Sequence, residues 1–188
     1  MTAPTPPIPS FTDGTIVHQS DLNALGSNLT NLYNFCQGGF RTQRPFVIAN
    51  QTVAQNIASG AGISLLSLNT TIVNTDNMWV PSQPTQLTVN TAGVYLVIAQ
   101  VVWTNSFTGY RGIVLFVNGT TVPTNFISGQ NYYDNGLVSG SQQVCVAAYR
   151  FAAGATIYPG CLQGSGITQP TDVVQSLNSS ITAVYLSS

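Results

Sequence analysis

The run Gly93-Val-Tyr-Leu-Val-Ile-Ala-Gln-Val-Val-Trp103 constrains this chain more than any other stretch. It is β-branched and aromatic almost throughout, so strand propensity is high. Its two alternating faces are Tyr95, Val97, Ala99, Val101, Trp103 and Val94, Leu96, Ile98, Gln100, Val102. Both are apolar, whereas a strand in a surface antiparallel sheet shows one polar face. The strand therefore needs a cover on each side. One cover is a second sheet of the same domain. The other is a helix layer, which the sequence lacks, or a neighbouring subunit. The sequence predicts the neighbour.

Composition supports a fixed assembly. Charged residues make up 5% of the 188 residues, against about 25% in ordinary domains. Lys and Glu are absent, so Asn, Gln, Ser and Thr must carry solubility. A formal net charge of -1 gives no field to steer nucleic acid or an anionic surface. Hydrophobic residues are 44%, too many for a disordered chain. No stretch approaches the ~20 apolar residues of a membrane span, and Met-Thr-Ala-Pro-Thr-Pro-Pro is not expected to be a signal peptide. Neither nucleic acid nor membrane insertion is expected. Sequons at Asn28, Asn69, Asn118 and Asn178 are what chance gives in an Asn/Thr-rich chain.

Taken in order, residues 1–19 read as an extended docking arm, with Pro4, Pro6, Pro7 and Pro9 barring helix and inner strand. A disordered terminus is the alternative. Residues 20–38 predict a short helix capped by Ser20 and ended by Gly38-Gly39. Leu22, Leu25, Leu29, Leu32 and Cys36 follow the spacing of a coiled-coil seam. A helix this short is marginal alone, which points to oligomerisation or docking; packing on its own domain is the alternative. Residues 39–45 are a connector.

From residue 46 to 188 the pattern is all β: short apolar runs parted by turns such as Asn118-Gly119 and Ala152-Ala153-Gly154. Such a chain makes a sandwich or jelly roll. Strands are predicted at Phe46–Val53, Ile63–Leu68, Met78–Val80, Gln86–Val89, Val94–Trp103, Gly112–Val117, Thr121–Thr124, Gln143–Phe151, Thr156–Pro159 and Ile181–Leu186. A hairpin over 144–162 centred on Ala153 sets Cys145 opposite Cys161. Opposed Cβ atoms lie about 4.5–5.5 Å apart, near disulfide reach; two buried thiols acting as small hydrophobes is the alternative. Residues 125–143 read as a long loop. Tyr132, Tyr133 and Asp134 there could meet a sugar ring or a partner, or simply pack on the sandwich.

Two resemblances follow. Leu87-Thr-Val-Asn-Thr-Ala-Gly-Val-Tyr95, Ile113-Val-Leu-Phe-Val-Asn-Gly119, Phe151-Ala-Ala-Gly-Ala-Thr-Ile157 and Ser180-Ile-Thr-Ala-Val-Tyr-Leu186 resemble, in order and spacing, the trimeric jelly-roll heads of complement component one q and the tumour necrosis factor family. The resemblance implies a ten-strand-type jelly roll over about three quarters of the chain, and a homotrimer. Candidate trimer contacts are Tyr95, Phe116, Tyr149 and Tyr185, joined by Leu22, Leu25, Leu29 and Leu32 of the helix. Pro9-Ser-Phe-Thr-Asp-Gly-Thr-Ile-Val-His-Gln-Ser-Asp-Leu-Asn-Ala-Leu25 resembles the opening of tailed-bacteriophage virion proteins. That implies attachment to other virion proteins through residues 1–45, a virion location after assembly in the host cytoplasm, and a head turned outward. Collagen-like repeats and the calcium-binding acids of some complement-like heads have no counterpart here.

The candidate chemistry is thin. His18 is the single histidine and precedes the β region, which removes a His-based triad or multi-His zinc site from that region. The five aspartates are scattered through turns and caps, where Asp ordinarily serves the backbone. The expectation is a structural virion protein, not an enzyme, with no cofactor and no metal: a capsid decoration, head fibre or tail fibre component. The alternative is an adhesin that reads a host-surface glycan through residues 125–143.

Overall fold

The computed structural model describes residues 44–104, 109–122, 124–134, 141–173 and 178–188. The chain divides into two compact units, Met1–Gln43 and Arg44–Ser188, and the described residues all belong to the second. The arm 1–19, the helix 20–38 with Leu22, Leu25, Leu29 and Leu32, and most of the connector 39–45 lie outside them.

Among the described residues there are twelve strands and no helix. They are β1 (Phe46–Asn50), β2 (Asn56–Ile57), β3 (Ser64–Leu65), β4 (Thr70–Asn74), β5 (Leu87–Thr88), β6 (Gly93–Trp103), β7 (Gly109–Val117), β8 (Phe126–Asp134), β9 (Ser141–Phe151), β10 (Thr156–Gln163), β11 (Gln169–Pro170) and β12 (Ser180–Ser187). The first sheet runs β4-β1-β12-β6-β9. The second runs β3-β10-β7-β8, with β5 also on β10. Ten strands in two antiparallel five-stranded sheets make a jelly roll, with first and last strands side by side; β2 and β11 form a small separate ribbon.

The core lies between the sheets. Tyr95, Val97, Ala99, Val101 and Trp103 of β6 are fully buried and meet Ile113 and Leu115 of β7 within one apolar cluster. Alternation places these residues on one face and their neighbours on the other.

Several local expectations are corrected. The described part of 125–143 is mostly strand: β8 pairs with β7 from Phe126↔Phe116 to Asp134↔Gly109. The turn before it uses Asn118 (φ 55) and Gly119 (φ 139) as expected of Asn-Gly. Met78 and Trp79 are buried without being strand, held by Asn74, whose side chain donates to the Trp79 carbonyl (2.8 Å). Of the predicted strand Thr121–Thr124, residues 121, 122 and 124 are not strand, and residue 123 lies outside the described residues. The 144–162 hairpin does not exist as a ladder: β9 pairs β6 in the first sheet and β10 pairs β7 in the second. The Ala152-Ala153-Gly154 turn crosses between sheets. Cys145 and Cys161 are accordingly free buried thiols and not a disulfide.

Candidate functional site

The first sheet has two faces of different fate. Its inner face carries the aromatic row that sequence assigned to the trimer. Tyr95 is fully buried, its ring edge-on to Tyr185 (5.3 Å) and Phe151 (5.9 Å). Its hydroxyl donates to the Thr91 carbonyl (2.7 Å). Burial, reinforced by the negative charge of Asp76, pushes that hydroxyl up to about 12. Tyr149 and Tyr185 lie opposite Tyr95 in register and continue the same row, with Tyr149 at the rim. Phe116 belongs to the second sheet and is fully buried, edge-on to Phe126. Tyr95 and Phe116 therefore cannot touch another copy directly. Alternation along β6 defines two apolar faces without saying which turns inward, and Tyr95 lies on the inward one.

The outer face is the opposite set. Register aligns Phe46, Val184, Leu96 and Ala148 in one row across β1, β12, β6 and β9. The next row is Ile48, Thr182, Ile98 and Val146; the third is Asn50, Ser180, Gln100 and Val144. Phe46, Ile48, Val184, Leu96 and Ile98 are half-buried in the single chain, while Val146 is 50% exposed. Across the five strands of this sheet one residue, Arg150, is charged. It sits at the end of β9, and its guanidinium donates to the Ser188 carbonyl (3.4 Å). At the other end Gln142 donates to Gln100 (2.9 Å), which donates to the Asn178 carbonyl (2.7 Å). The face is thus apolar in its middle, amide-bonded at one end and cationic at the other. A contiguous apolar patch with a polar rim is the signature of an interaction surface.

Tyr132, Tyr133 and Asp134 lie at the end of β8, in register with Arg111, Tyr110 and Gly109. They are strand residues of the second sheet, not the tip of a long loop. Cys145 and Cys161 are inner-face residues, both with thiols pushed up to about 12 by burial. Among the described residues no three or more His, Cys, Asp or Glu come together as a metal site.

Sequence reasoning missed a second feature, a buried amide network around the Trp103 end of β6. Trp103 Nε1 donates to Gln143 Oε1. Gln51, fully buried, donates to Gln55 Oε1 (3.2 Å) and the Ser67 carbonyl (3.2 Å) and accepts from Thr171 (2.7 Å). Gln163 donates to the carbonyls of Ile57 and Ile167 (both 2.8 Å) and accepts from the Ser165 amide. A Gln inside a β pattern gives no sign of whether it will meet water or a buried carbonyl.

The fold defines the class of the described residues as a two-sheet jelly roll. No family model and no curated protein sequence matches the chain. Its structure is similar to the crystal structure of murine APRIL at pH 5.0, with a TM-score of 0.58 and 10% identity over 77% of this chain and 100% of that one. At that identity the likeness shows the fold alone, a jelly roll of the tumour necrosis factor type. Among the described residues no helix is long and apolar enough to cross a membrane.

Proposed function

We propose that this chain is a structural, non-catalytic virion protein of a tailed bacteriophage: a homotrimer whose β head faces outward as a capsid decoration, head fibre or tail fibre component. Residues 1–45 anchor it to other virion proteins. The observation that carries the trimer is the outer face of the β4-β1-β12-β6-β9 sheet, which is apolar in its middle and has one charge in five strands. A lone protomer leaves that surface in water, and a closed symmetric assembly removes it from all copies at once. The tumour-necrosis-factor-type fold supports the same arrangement. The virion role is supported by the resemblance of residues 9–25 and by a nearly neutral, amide-rich surface.

Native mass spectrometry of the full chain tests the stoichiometry, and three copies are expected. A monomer at micromolar concentration would sink the trimer. Proteomics and immunogold labelling of purified phage particles test the location, and absence from the particle would overturn the virion reading. A host-surface glycan remains a proposed ligand of the outward end of the head, to be probed by a glycan array on the same protein.

A further inference from the structure

β9 is an edge strand of the first sheet and β8 is an edge strand of the second. An edge strand presents unpaired backbone groups and is a template for strand addition. β9 is a severe case. It is long, uncharged from Ser141 to Tyr149 and rich in Val and Ala, and Val144 and Val146 are 37% and 50% exposed. Length, low charge and β-propensity together mark a segment that stacks on copies of itself.

The edge is not bare. Gln130 Oε1 accepts the Val144 amide hydrogen (3.2 Å), and Ser128 Oγ donates to the Val146 carbonyl (2.9 Å). Both partners sit on β8, opposite Ile113 and Leu115, whose side chains are in the core. Ser128 and Gln130 therefore project from the core side of the second sheet across the open flank to the edge of the first. No ladder joins β8 to β9; side chains take the place of a sixth strand.

We infer that Ser128 and Gln130 form a side-chain seal over the β9 edge, and that this edge is a latent docking site for an extended strand, namely β9 of a second copy. The seal directs copies to meet face to face and not edge to edge. This does not depend on the number of copies in the assembly.

The test uses the full chain and a fluorescent peptide of residues 141–151. The wild type is expected not to bind the peptide. Ser128→Ala with Gln130→Ala is expected to bind it at least tenfold more tightly, with the Val144 amide exchanging its hydrogen at least tenfold faster. Ser128→Thr with Gln130→Glu keeps both bonds and should match the wild type. Wild-type binding equal to the double-alanine variant overturns the seal, as does a cooperatively melting double-alanine variant with unchanged binding and exchange. If the double variant does not melt cooperatively, the two single alanine variants are read instead. Tighter binding and faster exchange at Val144 in Gln130→Ala support the seal, and no change in either single variant overturns it.

Discussion

Ile98→Asp is the decisive substitution for the proposed interface. Ile98 lies at the centre of the outer face, flanked by Thr182 and Val146 in register. In a single chain it is only half-buried, so the protomer loses part of one aliphatic burial and some strand propensity, about 1–2 kcal/mol together. In a closed trimer the same change buries a carboxylate without a cation in each copy. At about 3 kcal/mol per unpaired charge, three copies lose about 9 kcal/mol, or roughly six decades of association constant. Sedimentation velocity and far-ultraviolet dichroism, run together, should find a folded monomer. Acidification that protonates the introduced carboxylates should restore association. Ile167→Asp, at a 63% exposed loop position, should leave both readouts unchanged. A variant at Ile98 that assembles like the wild type would refute the reasoning. Tyr95→Asp is no substitute: Tyr95 is a core residue, and its loss of assembly would report unfolding.

Three further outcomes are expected. Alkaline pH should unfold the head: the thiols of Cys145 and Cys161 rise from 9.0 to about 12, and the Tyr95 hydroxyl from 10.0 to about 12. The folded state then holds protons that the unfolded state releases, so stability is full below about pH 9 and falls as pH climbs towards 12, by about 1.4 kcal/mol per pH unit for each thiol, with Tyr95 adding in the same direction above about pH 10; denaturant melts flat across that window would contradict this. Gly93→Ala should destabilise by about 1–3 kcal/mol through overpacking, because the new Cβ meets the Tyr185 ring and lies 2.6 Å from the Ser187 carbonyl oxygen; an unchanged thermal midpoint would show that the strand end yields freely. Gln143→Leu should cost about 1–3 kcal/mol by leaving the buried Trp103 indole without its acceptor, read from melts with tryptophan emission as a second probe.

Much of the fold was legible because the signal was local. β6 and β7 announce themselves by β-branched content, and Asn118-Gly119 by turn chemistry. What failed was non-local. Alternation at β6 defines two faces, but both are apolar and nothing in the strand says which one meets the second sheet, so Tyr95 reads as well as a contact residue as a core residue. Cys145 and Cys161 looked like hairpin partners because Ala152-Ala153-Gly154 is a turn. A turn that returns within a sheet and one that crosses between sheets read alike in sequence. β8 reads as a loop in the sequence because Gly129, Gln130 and Asn131 dilute its apolar content, yet an edge strand needs little apolar content of its own.

The scarcity of charge goes together with the buried amides, although Arg111 is buried as well. A jelly roll must pin long connections over the ends of its sheets, and their backbone groups cannot be left dry and unpaired. Many proteins use Asp, Glu, Lys or Arg for such pinning, which adds desolvation cost and a pH dependence. Here Gln51, Gln163 and Gln169 do it, each amide both donor and acceptor in one neutral group; Gln169 donates to the carbonyl and hydroxyl of Thr104 (3.2 and 2.7 Å). Neutral pins bring no like-charge repulsion when copies are brought together at close range. A domain built this way can bury an apolar face against neighbouring copies without arranging charge complementarity around the rim. The same neutrality removes the charges that normally keep strand edges apart, which is why the edge of β9 must be closed by side chains.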